Sequence, residues 1–379
     1  MKTECNSQRL LFQWHGAREV TASFDGGAIT SDAGGLLLRE VDQRFGILRE
    51  FAGAFTDHRD PELTEFSTLE LLTQRVMGIA RGYEDLNDHE QLRHDPLLAL
   101  LAGRRDVTGS DRRDPRDRGV PLAGKSTLNR LELTPVGASA DSRYKKIVAS
   151  IAALQDALVD VFIRLKAKQG VPTELVLDLD ATDDPVHGDQ LGKFFHGYYK
   201  SHCYLPLYTF CGDWPLGAVL RPADIDGCAG TVQELSRIVP KLRAAWPNAR
   251  IIVRADSGFC RDAILSWCEE NKVDYIIGLS KNTRLTKLIG GKLHQANQLR
   301  LLFSTMAYVL HVALREFSLA GTEMPRAQAG TIRTKLLKIG RRIKVSVRRV
   351  WISISESYPH QRLFERILEN IRRQSPLQV

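Results

Sequence analysis

The spacing of hydrophobic and polar residues changes partway along the chain and separates a helical first part from a part that contains a sheet. Up to residue 140, apolar residues recur every three or four positions, which predicts amphipathic helices. Four such runs begin near Asp32, Ser67, Glu84 and Pro96. We therefore predict a mostly helical N-terminal domain over residues 1–140.

A single long helix is predicted after this domain. Residues 141–168 keep apolar side chains at helical spacing, and a following glycine and proline end the run. The helix would connect two domains across residues 141–172. Beyond it the chain turns to short apolar runs, which are typical of strands. The first of these, residues 175–179, is almost continuously apolar, as expected for a strand covered on both faces.

The strands and helices that follow have an order that indicates the architecture. One early strand is followed by two strands that form a hairpin, and then by a helix, a strand, a helix and a last strand. This order predicts an α/β fold with a mixed five-stranded sheet, the order of the RNase H-like fold, as a catalytic core over residues 173–282. The runs after the first strand cover residues 204–210, 216–220, 231–245, 251–253, 262–271 and 273–279.

The pattern breaks after the last predicted strand. Residues 283–295 are a short polar segment with glycines, and a new amphipathic helix covers residues 296–318. From residue 326 to residue 349 the chain holds nine lysines or arginines and no acid. Residues 343–348 alternate in polarity as a strand does. We therefore predict a C-terminal helix followed by a basic segment over residues 296–379.

Acidic residues stand at the ends of two predicted strands. Asp178 and Asp180 are two positions apart, so a strand sends both carboxylates to the same face. Asp256 follows the strand at residues 251–253, and ligands of open α/β sheets bind at that edge. Aspartates on neighbouring strand ends can hold a pair of divalent cations for phosphoryl transfer, with the metals ~3.5–4 Å apart. The alternative is that these acids are solvated residues of surface turns.

The composition is that of a globular protein with a basic character. Lysine and arginine outnumber aspartate and glutamate by 53 to 45, and the net charge of +8 suggests a polyanionic partner. A mildly basic protein without such a partner is the alternative. The six cysteines lack zinc-type spacing, and no apolar run is long enough to span a membrane. We expect a cytoplasmic protein with no membrane partner.

The stretch at residues 119–126 formally matches the G-x4-G-K-S pattern of nucleotide-binding loops. Such a loop needs a buried apolar strand before it, whereas residues 104–118 are a loop rich in arginine and aspartate that we expect to be solvated. Lys125 is better explained as the start of a helix from which Lys125 and Arg130 contact phosphates.

The basic C-terminal segment is a second candidate for phosphate contact. A basic strand face is often merely solvated, but this many cations without a nearby acid favour a polyanion. The residues that we assign to this contact are Arg333, Lys335, Arg341, Arg342, Lys344 and Arg348.

Six motifs carry a more specific signal. They are LDLDATDDPVHG at residues 177–188, FHGYY at 195–199, YLPLY at 204–208, LRPAD at 220–224, RADSGF at 254–259 and VDYIIG at 273–278. Together they resemble the DDE transposases of bacterial insertion sequences. The resemblance extends to segments near both termini and so covers almost the whole chain.

This resemblance implies a cut-and-paste transposase that binds the terminal inverted repeats of its element, with the N-terminal domain binding DNA. It also implies two divalent metal ions, Mg²⁺ or Mn²⁺, for DNA cleavage and strand transfer. Asp180 matches the family's first aspartate, with Thr182 completing a D-x-T motif, and Asp256 matches the second. A homodimer that bridges two DNA ends is a further implication.

The family's third carboxylate, a glutamate on a helix beyond the fifth strand, has no counterpart that we can identify. No acidic residue lies between Leu279 and Glu316, and the chain resembles an internally deleted copy with its junction near residues 290–295. Glu316 itself is a poor substitute, because a helix C-terminus disfavours an anion. Three hypotheses follow: a transposase impaired in cleavage, a DNA-binding remnant that regulates transposition, and an RNase H-like nuclease.

Overall fold

The computed structural model describes residues 10–15, 18–22, 28–186, 193–197, 200–278, 295–345 and 349–374. Within these ranges, one buried apolar cluster extends from the first helix through the central sheet to the last helix. The predicted junction at residues 283–295 lies outside the described residues except for its last position, and Arg348 lies outside them as well.

The described elements alternate helical and extended segments in chain order. The α-helices are α1 (Gly35–Phe45), α2 (Ile47–Ala52), α3 (Thr68–Ala80), α4 (His89–Leu92), α5 (Pro96–Leu101), α6 (Lys125–Leu133), α7 (Ile151–Lys166), α8 (Thr231–Ala245), α9 (Asp262–Glu270), α10 (Gln295–Leu314), α11 (Ala329–Ile332) and α12 (Gln361–Arg373). The strands are β1 (Leu10–His15), β2 (Arg18–Ala22), β3 (Ala28–Thr30), β4 (Phe55–Asp57), β5 (Ile147–Ala149), β6 (Glu174–Ala181), β7 (Asp184–Pro185), β8 (Phe194–His196), β9 (Ser201–Tyr204), β10 (Leu207–Cys211), β11 (Trp214–Val219), β12 (Arg250–Ala255), β13 (Asp274–Ile277), β14 (Arg341–Val345) and β15 (Val350–Ile354).

Helices α3 and α5 begin where the sequence supplies both apolar residues and a side-chain cap, from Ser67 and Asp95 respectively. Helix α3 begins after Ser67, whose hydroxyl accepts from the N–H of Glu70 while the Glu70 carboxylate accepts from the N–H of Ser67. Every residue of α3 from Leu71 to Ala80 is buried, so this helix lies at the centre of the N-terminal core. The helical character predicted for this part of the chain is confirmed.

The central sheet has the strand order β11-β10-β6-β12-β13. Strand β12 runs parallel to both β6 and β13, whereas β10 runs antiparallel to both β6 and β11. This is the mixed five-stranded sheet with an early hairpin that the sequence predicts, and it confirms the α/β, RNase H-like architecture. The predicted start of the hairpin at Tyr204 differs, because Tyr204 belongs to β9 in a separate three-stranded sheet.

The two faces of the sheet are covered unequally. Leu175, Leu177 and Leu179 of β6 are buried under helices, where the ring of Phe162 in α7 contacts Trp214 and Trp246. The opposite face, which carries Asp178 and Asp180, is partly or fully exposed along β6. The prediction that β6 is covered on both faces is therefore wrong, since its partly or fully exposed residues, Glu174, Val176, Asp178 and Asp180, alternate with buried leucines.

Two glutamines complete the hydrogen bonds of the outer strand β11. Gln155 of α7 exchanges hydrogen bonds with the backbone N–H and carbonyl of Ala218. Gln298 of α10 donates to the carbonyl of Ala218 and accepts from the N–H of Leu220. These contacts protect an edge that would otherwise be open to another strand, and they fix α10 beside the sheet.

The connecting helix is shorter than predicted. Helix α7 begins at Ile151, because the Ser150 hydroxyl accepts from the N–H of Ala153 and caps the first turn. The preceding residues instead form β5, which pairs antiparallel with β4 in the N-terminal region. The proposed domain boundaries at residues 140, 172 and 282 stay a prediction.

The basic C-terminal segment returns to the N-terminal region. Strand β14 pairs antiparallel with β15 on one side and with β3 on the other, so that Arg341 lies opposite Thr30. The Arg341 side chain is buried and its pKa is lowered to about 10 by desolvation, close to Asp95 and Asp32. The segment therefore contributes a charged residue to the interior as well as cations to the surface.

Candidate active site

The two predicted catalytic aspartates lie at the ends of adjacent strands, since Asp180 is the second-last residue of β6 and Asp256 directly follows β12. In the parallel ladder Arg250 is opposite Glu174 and Arg254 is opposite Asp178. The ladder ends with this pair, two residues before Asp180 and two residues before Asp256. Both aspartates therefore follow the same last pair at the C-terminal end of adjacent parallel strands, which are ~4.8 Å apart.

The Asp180 carboxylate is available for a ligand. Within the described part of the chain it makes no hydrogen bond or ion pair, and its side chain is exposed. Its cross-strand neighbour is Tyr208, whose pKa is raised to about 12 by burial and by the nearby charges of Asp184 and Asp180. The phenol thus stays protonated beside the acid, and it does not supply a second anion.

Asp178, the alternative first aspartate, is already paired. Its two oxygens accept from Nε and Nη2 of Arg254 at 2.5 and 2.9 Å, which is a bidentate ion pair. This pair lies one pleat behind the level of Asp180 and Asp256. The geometry favours Asp180 over Asp178 as a metal ligand, because a guanidinium occupies both oxygens of Asp178.

Backbone packing fixes the position of Asp256. Its Oδ1 accepts from the N–H of Gly258 at 2.8 Å in a turn that follows β12. A β-carbon at Gly258 would lie 3.0 Å from that same oxygen, and one at Gly278 would lie 3.0 Å from the backbone nitrogen of Ser257. Glycines at both positions therefore permit the close packing that orients this carboxylate.

A buried arginine organises the loop that adjoins these acids. Arg221 donates to the carbonyls of Leu205, Gly227 and Ala229 at 2.6–2.9 Å, and burial lowers its pKa to about 10. The loop carries Asp226, which forms an ion pair with Arg261 at 3.0 Å. Sequence reasoning missed this support, although the LRPAD motif contains the arginine.

Among the described residues, no group of three or more acidic, histidine or cysteine side chains could hold a metal ion. Glu316 is engaged elsewhere: Trp214 donates to it at 2.7 Å and Gln169 at 2.8 Å. Trp214 starts β11 and Gln169 precedes β6, so Glu316 lies at the end of the sheet opposite to Asp180. The third carboxylate therefore has no candidate in the described residues.

The predicted phosphate contacts in the N-terminal region lie on an exposed surface. Lys125 and Arg130 are both exposed on α6, and the Arg130 guanidinium lies over the ring of Tyr144. The Glu90 carboxylate accepts from the N–H of Lys125 at 3.2 Å, so an acid occupies the helix start where a nucleotide-binding loop would hold a phosphate. This contact opposes the nucleotide-loop interpretation of residues 119–126.

The C-terminal candidates divide into exposed and buried residues. Arg342, Lys344 and Lys335 are exposed, and Arg333 is half-buried with its side chain against Gly82. Arg341, only 4% exposed, is a correction to the predicted contact surface, because its guanidinium points into the interior toward Thr30.

The arginine-rich loop at residues 104–118 is also less solvated than predicted. Arg104 and Arg112 are largely buried, and both guanidinium groups lie over the ring of Phe66. Arg112 forms an ion pair with Glu65 at 2.6 Å. These arginines hold the loop together and are not available to a ligand.

The protein has a mixed five-stranded sheet with Asp180 near the end of β6 and Asp256 directly after β12. This architecture is that of the RNase H-like class of proteins. A family model described as "Transposase DDE domain group 1" matches residues 12–295 and 291–376. The chain therefore belongs to this family of DDE transposases. No curated protein and no solved structure matches the sequence.

Membership in this family brings two general properties. DDE transposases act on DNA, and they use divalent metal ions for their chemistry. The donor set is compatible with such an ion, since Asp180 and Asp256 offer carboxylate oxygens, the ligands that Mg²⁺ and Mn²⁺ prefer. None of the helices described is long and apolar enough to cross a membrane.

Proposed function

We propose that this protein is an insertion-sequence transposase that binds the terminal inverted repeats of its element and is impaired in DNA cleavage and strand transfer. The observation that carries the proposal is that Asp180 lies near the C-terminal end of β6 and that Asp256 directly follows β12, its parallel neighbour. The family match supports the transposase assignment, and the exposed cations on α6 and β14 support the contact with DNA.

The residues of the chain have separable parts in this chemistry. Asp180 and Asp256 would hold the metal ions. When bound, Mg²⁺ or Mn²⁺ lowers the pKa of a coordinated hydroxyl and neutralises charge on the phosphodiester. Gly258 fixes Asp256 through its N–H, and Arg254 neutralises Asp178 so that it does not add a third negative charge behind the pair.

Impaired cleavage follows from the missing third carboxylate. Glu316 is bound to Trp214 and Gln169 at the far end of the sheet, and residues 279–315 contain no acid. The family match comes in two parts that meet at residues 291–295, which agrees with the deletion junction inferred near residues 290–295. Two carboxylates alone bind metal weakly, so we expect the rate of cleavage to fall by orders of magnitude.

The missing third carboxylate also favours a second candidate function. A chain that keeps its DNA contacts but lacks the third carboxylate would occupy inverted repeats without cutting them and so regulate transposition. We further propose that the protein works as a homodimer on double-stranded DNA in the cytoplasm, in association with the nucleoid. An RNase H-like nuclease without strand transfer is the third possibility.

Cleavage of a duplex that contains the element's inverted repeat, in Mg²⁺ or Mn²⁺, tests the proposal. We expect binding with at most weak nicking, and loss of that nicking in Asp180→Ala. Asp274→Ala is the matched control, because Asp274 is an exposed acid on the same sheet that pairs with Arg250. Efficient double-strand cutting that disappears in Asp180→Ala would show that a third ligand exists and that impairment is wrong.

A further inference from the structure

A groove of about 530 Å³ lies where α6 and α10 meet the loop before β5. Its walls carry four cationic side chains, Lys125, Arg130, Lys145 and Arg300, and one acid, Asp85. The cations come from three distant parts of the chain, so no local sequence pattern indicates that they share a site. Only the fold brings them to one surface.

The groove is chemically suited to an extended anion. Within the described residues Lys145 has no hydrogen-bond or ion-pair partner, and Lys125 Nζ contacts only the amide oxygen of Asn87, at 3.3 Å. Tyr144 is more than half exposed, and the guanidinium groups of Arg130 and Arg143 both lie over its ring. These cations are therefore ordered by a neutral ring and an amide, which leaves their charge available to a ligand.

A buried acid holds the fourth cation in place. The Glu132 carboxylate, fully buried in α6, accepts from Nε of Arg300 at 2.8 Å. This contact uses one edge of the guanidinium, and the Arg300 side chain remains 45% exposed at the groove. Arg300 is thus oriented from below and can still donate to a ligand from its remaining N–H groups.

The groove lies at the same edge of the central sheet as the catalytic aspartates. Gln298, two residues before Arg300, is bonded to Ala218 and Leu220 at the end of β11. Ala218 is opposite Tyr208, which is opposite Asp180. Three strand spacings separate β11 from β12, ~14 Å, and the width of a packed helix adds ~10 Å. The groove and the aspartates are therefore about 25 Å apart, less than one turn of a DNA duplex, ~34 Å.

We propose that this groove binds backbone phosphates of the same DNA duplex that lies at Asp180 and Asp256, within about one helical turn of the cleavage position. The inference rests on the proposed function, since it needs DNA at the aspartates. It deepens that function by adding Lys145 and Arg300 to the predicted contacts of Lys125 and Arg130. The ligand is a run of phosphodiesters, read by charge and not by base sequence.

Salt-dependent binding of a labelled inverted-repeat duplex to the full-length chain tests this proposal. Each phosphate contact contributes ~0.9 to the slope of log affinity against log salt. The triple variant Lys125→Ala, Arg130→Ala, Lys145→Ala removes three such contacts and should lower the magnitude of the slope by about 2.7. Lys166→Ala is the control, because Lys166 lies at the opposite end of the sheet, where its Nζ donates to Gln169. Urea unfolding of each variant verifies that the fold is kept.

Phosphate-ethylation interference locates the contact. Ethylation of phosphates within about ten base pairs of the terminal cleavage position should weaken binding of the unaltered protein and not of the triple variant. If the unaltered protein fails to bind duplex DNA, the proposed function itself is wrong. If the unaltered protein binds duplex DNA and the triple variant has the same salt slope on the duplex, the groove assignment is wrong and the proposed function stands. The same conclusion follows if the triple variant has a smaller salt slope with single-stranded DNA alone.

Discussion

Replacement of Glu132 by glutamine should destabilise the fold more than the loss of any surface ion pair. The Glu132 carboxylate is fully buried and accepts from Nε of Arg75 at 2.7 Å as well as from Arg300. Arg75 is also buried, and its remaining N–H groups donate to the carbonyls of Tyr83 and Glu84. The pair thus joins α6 to α3 inside the N-terminal core, and its second oxygen joins α6 to α10.

The expected magnitude follows from what the substitution leaves behind. Glutamine keeps the shape of the side chain but leaves the Arg75 guanidinium without a counter-charge in the interior, a situation that costs about 3–5 kcal/mol. Arg300→Ala removes the partner that is 45% exposed and leaves Glu132 paired with Arg75, so it should cost less than about 1 kcal/mol.

Urea unfolding followed by tryptophan fluorescence and circular dichroism measures both variants. The double variant Arg75→Met, Glu132→Leu replaces the buried pair by apolar side chains of similar size and should recover stability to within about 1 kcal/mol of the unaltered protein. A loss of less than about 1 kcal/mol in Glu132→Gln would refute the reasoning, because it would mean that the Arg75 charge finds water or another acid.

Three further outcomes concern pH, metal affinity and the far end of the sheet. Burial lowers the pKa of His311 to about 4, so its contribution to the free energy of unfolding is full above the unfolded pKa of 6.5 and is lost as the pH falls toward 4. The free energy of unfolding measured in urea should therefore fall between pH 6.5 and 5 by about 2 kcal/mol less in His311→Asn than in the unaltered protein. Gly258→Ala should weaken Mn²⁺ binding about 10-fold in calorimetry without unfolding the protein, because the added carbon presses on the Asp256 carboxylate; unchanged affinity would argue against Asp256 as a ligand. Trp214→Phe should cost about 2 kcal/mol, since Glu316 loses a donor; Glu316→Gln in the same background should then cost little more.

The sequence predicts the elements whose determinants are local. Helix α8 begins and ends at the predicted residues, Thr231 and Ala245, because its apolar face is regular and glycine precedes it. The predicted helix over residues 141–168 fails at its start, since residues 147–149 pair with a strand some ninety positions earlier. Helical periodicity there is real but is overridden by a tertiary contact that the local pattern does not contain.

The candidate site also has features that the sequence predicts and features that depend on tertiary contacts. The position of Asp180 and Asp256 at the ends of adjacent parallel strands is predictable, because each comes at the end of an apolar run and parallel strands end at one edge of the sheet. The pairing of Asp178 with Arg254 could have been inferred only from the register of the ladder. The burial of Arg341 was not predictable from the alternation of polar and apolar residues. This pattern identifies the two faces of a strand, but it does not show which face packs near Asp32 and Arg81.

The pairing of β3 with β14 has a consequence for how the protein is made. Their residues are more than three hundred positions apart, so β3 cannot pair with β14 until that stretch of chain has been synthesised. At ~5–20 residues per second, that interval is roughly 15–60 s on the ribosome. During it Asp32 lacks Lys338, its 3.1 Å partner, and Thr30 lacks Arg341. Pairing of β3 with β14 is therefore a late step of folding, and nascent chains stalled before residue 341 should remain sensitive to proteases near residue 30.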